Sequence, residues 1–437
     1  MKAAMTSVPD APEAVSATTT RPSSIRWRVI ALVGVLTVIN LADRTSLSVG
    51  MPVIAQDLGL SPAIQGVMLS AFFWSYALCQ VPGGWLIDRM GPSRIIAGST
   101  LLWGVFQTLA AGAFNGLSLL LTRIGLGVAE APLFPAAGKL NALWLAPTER
   151  ARGAVLMDSG SYLGAGVGGA VIALLIAGFD SWRAAFAIAG VVTIAIGIFA
   201  WWYLQDDPAR HSGVNEGELA VIRADAGQRA ALGEGVRAKL GADVLAPVMI
   251  GRFGWASINF GLLTWGPSYL AQARGFDLKA MGWSTLVIFG SGFIGALVSG
   301  FLADFLQRKG WRRDVALKLL LTLSGLATLV AFVVLPTIEA PVSAVLVLAF
   351  TYFMLCFGSL YWSLPAMLAP AQSEGFMGGM MNCAGSVGGI IVPLVAGVLL
   401  EVTGTFTAVL TYFAISAGLY VLATLFIPFV RRAEARP

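Results

Sequence analysis

The stretch AAFAIAGVVTIAIGIFAWWYL, residues 184–204, decides the fold class of this chain. It carries no charged side chain, and it reaches the roughly 20 residues that an α-helix needs to cross the hydrocarbon core of a bilayer. Since lipid offers no hydrogen-bond partner to the backbone, a run this long forms a helix rather than one of the short alternating strands of a barrel. Similar runs recur along the chain, and the sequence therefore predicts a bundle of membrane-spanning helices.

The composition matches a chain that lies almost entirely in lipid. Among 437 residues, hydrophobic ones make up 57% and charged ones only 12%, whereas soluble domains carry roughly 25% charged residues. A water-soluble fold cannot bury that much apolar surface. Little of the chain is left for a soluble domain.

Twelve apolar segments, six on each side of a polar stretch, predict an all-α membrane protein made of two six-helix bundles. The predicted spans cover residues 28–50, 63–86, 94–113, 117–140, 152–178, 183–205, 245–272, 281–306, 315–336, 341–368, 376–400 and 405–430. The predicted organisation is a disordered cytoplasmic tail (1–27), an N-terminal bundle (28–205), a cytoplasmic linker (206–243), a C-terminal bundle (244–430) and a short cytoplasmic tail (431–437).

Basic residues indicate which side of the membrane each loop occupies, because cytoplasmic loops collect Lys and Arg. With the N-terminus inside, the inner segments hold about 21 basic residues, whereas the outer loops hold only Arg183, Arg274 and Lys279. We therefore expect both termini in the cytoplasm and the chain in the inner (plasma) membrane. The same bias accounts for the net charge of +5, so the charge does not call for a nucleic-acid partner.

A short motif occurs once in each half of the chain. The second span ends in GGWLIDRMGPSR, residues 83–94, which contains G-x-L-x-D at 84–88, and the eighth span ends in the same pattern at 300–304. Its return at matching positions predicts two parallel repeats related by an axis along the membrane normal.

Asp88 lies at the predicted cytoplasmic end of the second span, near Arg89 and Arg94. It can pair with a base or cap a neighbouring helix N-terminus, and either contact would hold one conformation. The alternative is a helix-end charge that serves topology only. The residues expected to form such a conformational latch are Gly84, Asp88, Arg89, Gly91, Arg94 and, in the second half, Asp304.

Four charged residues inside predicted spans are the main candidates for a role in transport: Asp43 and Arg44 in the first span, and Arg123 and Glu130 in the fourth. Each costs roughly 2.5 to 3.5 kcal/mol on insertion scales, so it needs a partner, a water cavity or a function. A buried arginine can bind a carboxylate or sulfonate through two N–H groups, and a buried acid can carry a proton. The structural alternative pairs each acid with one of the two arginines.

The spacing of these four residues restricts what they can face. Arg123 and Glu130 are two helical turns apart, about 10 Å along the axis, so they share one helix face and can address one cavity. Asp43 and Arg44 are neighbours whose side chains point about 100° apart. We expect one of them to face the cavity and the other a neighbouring helix.

The loop at 84–94 resembles that of the major facilitator superfamily, whose second and third spans are joined by G-x-L-x-D-R-x-G-x-x-R. NLADRTSLSVGMPVIAQDLGLS at 40–61 and RIGLGVAEAPLFPAAGKLNALWLAPTERARG at 123–153 are similar to its anion:cation symporter family. That family includes bacterial hexonate, aldarate, tartrate, aromatic-acid and sulfonate importers. The resemblance covers roughly residues 28 to 430 and implies the major facilitator fold with twelve spans.

The resemblance also implies roles for the charged residues inside the spans. The matching acids of the family are proton sites, which places proton coupling at Asp43 and Glu130. The matching arginines serve substrate binding and gating, which places anion binding at Arg44 and Arg123.

Further polar residues complete the expected substrate pocket. Tyr76 and Asn382 match substrate contacts of the family, although core packing is the alternative for Tyr76. Ser161 stands where hexonate carriers of the family tend to have glutamine, which disfavours a polyhydroxylated substrate. Arg252 lies near a span end, where a long side chain can snorkel to the interface, so no transport role is assigned to it.

Other classes of function find little support in the sequence. The three cysteines, Cys79, Cys356 and Cys383, lie in apolar segments without metal or redox spacing, and we expect the single histidine, His211, to be solvated in the linker. No nucleophile stands beside a base, and no phosphate-binding loop is present. We therefore predict neither an enzyme nor a protein with a metal or cofactor.

These observations together predict a secondary active transporter. It imports a small organic anion in symport with protons by alternating access, as a monomer in the lipid bilayer. An anion exchanger or an efflux carrier of the same fold is the alternative.

Overall fold

The computed structural model describes residues 21–146, 149–223, 241–369 and 374–428, so most of both predicted tails and part of the linker lie outside the described residues. The helices of the N-terminal half and the linker are α1 (Ile25–Leu58), α2 (Pro62–Met90), α3 (Pro92–Ala110), α4 (Gly116–Glu130), α5 (Leu133–Trp144), α6 (Arg150–Phe179), α7 (Trp182–Tyr203) and α8 (Glu216–Arg223). The helices of the C-terminal half are α9 (Ala242–Ser268), α10 (Leu278–Arg308), α11 (Arg313–Val334), α12 (Pro341–Leu355), α13 (Leu364–Leu368), α14 (Glu374–Thr403) and α15 (Phe406–Phe426).

Ten helical stretches of the described chain are long and apolar enough to cross a membrane. This agrees with the predicted class of an all-α membrane protein. The other two predicted spans, 94–113 and 245–272, correspond to α3 and α9, which are helical but are not among the ten. Both helices bury polar side chains, such as Gln107 in α3 and Arg252 in α9. The count of twelve spans stays a prediction.

Two glycines with left-handed backbone end the first two helices. Gly59 follows α1 with a φ of 64°, and Gly91 follows α2 with a φ of 86°, a region that residues with a Cβ rarely adopt. The two glycines lie at opposite ends of α2. We therefore name the two ends of the bundle the Gly59 face and the Gly91 face.

Within the N-terminal half, α1 and α6 pack closely enough for their backbones to touch. A Cβ added to Gly164 would lie 2.2 Å from the carbonyl oxygen of Val38. Small residues permit this approach in lipid, where van der Waals packing replaces the hydrophobic effect as the attraction between helices. The contact fixes the position of α1, the helix that carries Asp43 and Arg44.

The two halves meet at the Gly59 face. Where α2 crosses α14, a Cβ on Gly66 would lie 2.5 Å from the carbonyl oxygen of Pro393. The hydroxyl of Ser61 and the backbone N–H of Ala63 both donate to the carboxylate of Glu401, each at 2.8 Å. Helices α6 and α10 also pack against each other across the same boundary.

The described part of the linker docks at the Gly91 face. Glu218 of α8 is fully buried and accepts hydrogen bonds from the backbone N–H groups of Ile25 at 3.2 Å and Arg26 at 3.0 Å. A negative charge at this helix start complements the helix dipole. The guanidinium of Arg26 bridges Glu218 and Glu149, both at 3.0 Å. The linker thus packs on the start of α1 and, through Arg26, on the start of α6.

The expectation that His211 is solvated is wrong. Its side chain is buried, with ring centroids of Trp144 and Tyr203 at 5.6 Å and 5.1 Å from its own. The Nδ1 atom accepts a hydrogen bond from the backbone N–H of Gly213 at 3.2 Å. Aromatic residues at the ends of two helices enclose the ring, and a polar stretch of sequence does not reveal such an enclosure.

Candidate functional site

A cavity of about 480 Å³ lies between the two halves, a size within the range of about 300 to 1,000 Å³ typical of small-ligand sites. Its walls come from α1, α2, α5 and α6 on one side and from α9, α12 and α14 on the other. The polar residues that line it are Arg44, Tyr76, Gln80, Ser161, Tyr162, Arg252, Asn259, Tyr352, Ser359 and Asn382. Because both halves contribute, any movement of one half against the other changes the cavity.

Arg44 lies at the wall of this cavity and is held from two directions. Its Nε donates to Oε2 of Glu130 at 2.7 Å, and its Cζ lies 4.5 Å and 4.6 Å from the ring centroids of Phe72 and Tyr76. Its Nη2 is buried and has no hydrogen-bond partner within the described part of the chain. Buried donors without partners are rare in folded proteins because each costs about 1 to 3 kcal/mol. This N–H group is therefore available to a ligand.

Glu130 is fully buried behind Arg44. It is the last residue of α4, and the chain resumes as α5 at Leu133 after Pro132, which has no backbone N–H to continue the helix. The break places the carboxylate at a helix end in the interior of the N-terminal half. Its described ion pair is with Arg44, from the first span.

Asp43 points away from the cavity, into the N-terminal half. Its Oδ2 accepts hydrogen bonds from Nε1 of Trp103 at 3.1 Å and from the hydroxyl of Thr193 at 2.9 Å. Within the described residues no salt bridge shorter than 4.0 Å reaches Asp43. The structural alternative, an ion pair for each acid, thus fits Glu130 with Arg44 but not Asp43.

Arg123 is buried and does not line the large cavity. Its Nη2 donates to Oε1 of Gln107 at 3.1 Å, and the guanidinium is near enough to Asp43 and Glu130 for charge attraction. Beside it, next to Arg44, is a void of about 30 Å³ with room for a water molecule. The structure therefore brings Arg44, but not Arg123, to the place where a ligand fits.

The three uncharged residues predicted for the pocket all lie at the cavity wall. Tyr76 and Ser161 line it from α2 and α6, and Asn382 lines it from α14. The Nδ2 of Asn382 donates to Oε1 of Gln80 at 3.1 Å, a contact between the halves. Gln80 was not among the predicted residues.

Arg252, to which the sequence assigned no transport role, also lines the cavity. Its Cζ lies 4.1 Å from the ring centroid of Trp255. Arg252, Trp255 and Asn259 all line the cavity and stand at i, i+3 and i+7 in α9, the spacing of one helix face. That periodicity was visible in the sequence and would have placed Arg252 in the site.

The predicted latch residues lie at the Gly91 face. Asp88 pairs with Lys139 of α5 at 2.7 Å, rather than with Arg89 or Arg94. The Cζ atom of Arg89 instead lies 4.0 Å from the ring centroid of Trp85. Both partners of the Asp88 pair are substantially exposed to solvent, which weakens the pair.

The helix-capping role proposed for Asp88 belongs to another acid. Oδ1 of Asp206, at the start of the linker, accepts a hydrogen bond from the backbone N–H of Ser93 at 2.7 Å and so caps α3 beside Gly91. In the second half, Asp304 is exposed in α10. Whether these residues act as a latch stays a prediction.

Residues 33–393 match the Major Facilitator Superfamily, and the chain belongs to that superfamily. It is a multi-pass membrane transporter rather than an enzyme. The superfamily and the relatives described next agree with the resemblance drawn from the motifs.

Three relatives are similar in sequence to this chain over nearly its whole length. The D-galactonate transporter of Escherichia coli O6:H1 is 33% identical over 404 residues, which cover 90% of this chain and 93% of that protein. The probable galactarate/D-glucarate transporter of Escherichia coli K12 is 30% identical, with 95% and 96% covered. The probable sulfoacetate transporter of Cupriavidus necator is 31% identical, with 92% and 94% covered.

Among solved structures, the chain is similar to a bacterial homologue of the human lysosomal transporter Spinster in an inward-facing and occupied conformation. The TM-score is 0.73 at 16% identity, over 93% of this chain and 96% of that one. At this identity the likeness supports the fold alone.

Proposed function

We propose that this protein is a secondary active transporter that imports a small organic anion together with protons. The relatives' names describe transporters of sugar acids and of a sulfonate, all small organic anions. Arg44, at the wall of a cavity made by both halves, fits a ligand of that class.

The observation that carries the proposal is the contact between Arg44 and Glu130. While Glu130 is ionised, it competes with the substrate for the Arg44 guanidinium. A proton on Glu130 removes that negative charge and leaves Arg44 to bind the anion. By linkage, an anion on Arg44 also favours the proton on Glu130, so each ligand promotes binding of the other.

Asp43 serves as a second proton site in this proposal. It is buried, and removal from water favours the neutral form of a carboxylic acid. Trp103 and Thr193 hold its carboxylate, and the charge of Arg123 is close by. In this arrangement Arg123 balances the two acids instead of contacting the anion.

The proposal includes alternating access, which the places where the halves touch support. They are in contact at the Gly59 face, and the cavity lies between them on the side of the Gly91 face. The excess of basic residues in the inner segments assigns the Gly91 face and both termini to the cytoplasm. With that orientation, the proposed state is an inward-facing one in the inner membrane, from which the anion and proton would be released inside.

Uptake into liposomes tests the proposal. Purified protein is reconstituted, and entry of radiolabelled D-galactonate, D-glucarate or sulfoacetate is measured with and without an inward proton gradient. We expect accumulation that disappears when the gradient is collapsed. Accumulation that survives the collapse would show that protons are not the coupling ion.

The same liposomes separate symport from exchange. An obligatory exchanger moves labelled anion only when unlabelled anion is present on the other side, whereas a symporter also fills empty liposomes when a proton gradient is applied. Counterflow without any gradient-driven entry into empty liposomes would establish the exchanger instead.

A further inference from the structure

A second cavity, which we call the Arg94 pocket, lies at the Gly91 face and is separate from the candidate site. Its volume is about 660 Å³, and none of its described lining residues lines the cavity between the halves. The start of α3, the end of α7 and the start of the linker form its walls. The charged residues that line it are Arg94, Asp206, Asp207 and Arg210. The pocket therefore offers both signs of charge to a small polar group.

On the α3 side, the Arg94 pocket lies at the end of an exposed apolar helix face. Leu102, Val105 and Leu109 follow Arg94 on the same face of α3, and all three are exposed. In a membrane transporter, a contiguous exposed apolar surface of this kind contacts the acyl chains of lipids. Lipid chains that lie along this face therefore end beside Arg94.

The α7 side continues the same surface. Val191, Ile198 and Trp201 share one face of α7 and are exposed. A Cβ on Gly98 of α3 would lie 3.7 Å from the ring of Trp201, so the exposed faces of the two helices are adjacent. Tryptophan is enriched where a membrane meets water. The pocket thus lies at the depth where the headgroup of a lipid follows its acyl chains.

The charges in the Arg94 pocket sum to zero but are weakly paired. Arg94 is exposed and takes part in no salt bridge between described residues. Nε of Arg210 lies 3.6 Å from Oδ2 of Asp207, and both side chains are mostly exposed, which makes this pair weak. Oδ1 of Asp206 already accepts the backbone N–H of Ser93. The guanidinium of Arg94 and the carboxylate of Asp207 are therefore the groups most available to a ligand.

A ligand that suits these two groups carries a phosphate and an amine. A guanidinium binds phosphate through two parallel N–H groups. A primary ammonium offers three N–H donors to a carboxylate, whereas a quaternary ammonium offers none. A zwitterionic ligand keeps the balance of charge in the pocket, and a purely anionic one adds a negative charge without a partner.

We propose that the Arg94 pocket binds the headgroup of a phospholipid with a primary amine, its phosphate on Arg94 and its ammonium on Asp207. The acyl chains lie along the exposed faces of α3 and α7. A water-soluble phosphate ester of an amine has the same polar groups, but it has no apolar part to cover those faces. The headgroup also joins α3 to the start of the linker. This site is distinct from the proposed anion site and does not depend on the transport function.

Lipid binding to purified, delipidated full-length protein tests the proposal. Dioleoyl-phosphatidylethanolamine, dioleoyl-phosphatidylcholine and dioleoyl-phosphatidylglycerol share their acyl chains and phosphate and differ in the rest of the headgroup. Thermal stabilisation over a range of lipid concentrations gives an affinity for each, and native mass spectrometry counts the lipids bound. We expect phosphatidylethanolamine to bind about tenfold or more tightly than either of the others. The soluble headgroup, O-phosphoethanolamine, should bind at least about 100-fold more weakly than the lipid.

Two substitutions separate the two contacts. Asp207→Asn should lower the affinity for phosphatidylethanolamine by about tenfold and change that for phosphatidylcholine by less than about threefold. Arg94→Gln removes the phosphate contact and should weaken both lipids by about tenfold. Glu216→Gln in the linker and Arg308→Gln at the end of α10 remove exposed charges of the same signs outside the pocket, and both should leave the affinities unchanged.

The wild-type protein decides the class of ligand even if a variant fails to fold. Equal affinity for the three lipids, or a preference for phosphatidylcholine or phosphatidylglycerol, would overturn the inference. So would O-phosphoethanolamine that binds as tightly as the lipid, because the ligand would then be a soluble one. A preference for phosphatidylethanolamine that survives in Asp207→Asn would mean that another site recognises the amine. Each of these results is independent of anion uptake, which the liposome experiments measure.

Discussion

The hydrogen bond of 2.7 Å from Arg44 to Glu130 joins the residue that we assign to the anion with the residue that we assign to the proton. Glu130→Gln imitates the protonated acid permanently. We expect anion binding and counterflow to persist, because Arg44 is then always released. Gradient-driven uptake should fall by about 100-fold or more, the scale of losing a proton-transfer group.

Glu149→Gln is the matched control for that change, because it removes an acid from a different arginine pair, that of Arg26 at the Gly91 face. Uptake by this variant should remain coupled to protons. Full gradient-driven accumulation by Glu130→Gln would contradict the assigned role of Glu130.

Arg44→Lys tests whether the anion needs the forked guanidinium rather than a positive charge alone. Lysine cannot donate two parallel hydrogen bonds or stack in the same way over Phe72 and Tyr76. We expect affinity for the anion to fall by roughly 10-fold to 100-fold, equivalent to about 1.4 to 2.8 kcal/mol in a thermal-shift or calorimetric titration.

Arg123→Lys provides the comparison for Arg44→Lys, because Arg123 is buried beside the acids and does not line the cavity. The Arg123→Lys substitution should weaken proton coupling more than it weakens anion binding. If Arg44→Lys and Arg123→Lys lose anion affinity equally, Arg123 must also contact the substrate.

At the scale of residues, the sequence predicted some of the side chains that line the candidate site and not others. Charges within apolar spans stand out because insertion in lipid is costly, which is why Asp43, Arg44, Arg123 and Glu130 could be found. Which of them line the cavity depends on the rotation of each helix, and hydropathy does not record rotation. For Arg252, the distance from the predicted span end does not show that the side chain lines the cavity.

At the scale of helices, the crossing of α2 and α14 decides whether the Gly59 face can close. A Cβ on Gly66 would lie 2.5 Å from the carbonyl oxygen of Pro393, and both sides of that contact are backbone. Gly66→Ala should disfavour the state with this face closed by about 1 to 3 kcal/mol, the scale of overpacking. Spin-label distances across the Gly59 face should lengthen, and the rate of uptake should fall.

Gly418→Ala is the control, since a Cβ there meets no atom within 4 Å and lies within the regular helix α15. It should leave the distances unchanged and raise stability by up to about 1 kcal/mol. Unchanged distances in Gly66→Ala would mean that α2 and α14 can separate without opening this face.

The sequence predicted which segments are helices better than where those helices are interrupted. Long apolar runs forced the helical assignment, because lipid satisfies no backbone group. The sequence does not predict the break at Pro132 after Glu130 or the change to 3₁₀ geometry at Cys356–Ser363. Both lie inside predicted spans, since residues at such points are as apolar as their neighbours. They position Glu130 and Trp255, so both irregular points lie beside the candidate site.

At the scale of the whole molecule, the two halves are in contact at the Gly59 face and leave the cavity between them on the other side. The linker contributes to this arrangement by capping α1 through Glu218 and α3 through Asp206. In the proposed alternating access, one half moves against the other. Both caps should persist during that movement, because each joins the linker to a helix of the N-terminal half. We therefore expect the described linker residues 206–223 to move with that half as a unit.

Thiol labelling in sealed membrane vesicles tests both the orientation and the state. The three native cysteines are first replaced by serine or alanine, since Cys383 is exposed. Gly379→Cys then places a thiol at the cavity wall, and Gly178→Cys places one at the end of α6 on the Gly59 face; at both positions a Cβ meets no atom within 4 Å. Neither substitution should disturb the fold.

In the proposed orientation the cavity opens to the cytoplasm and the Gly59 face lies outside. A membrane-impermeant maleimide should then modify Gly379→Cys in inside-out vesicles and Gly178→Cys in right-side-out vesicles. Substrate should slow labelling of Gly379→Cys and leave Gly178→Cys unchanged, since only the first thiol shares the cavity with the ligand. The reverse pattern of sidedness would place the termini outside. Labelling of Gly379→Cys from both sides would mean that the contacts between α2 and α14 do not seal the Gly59 face.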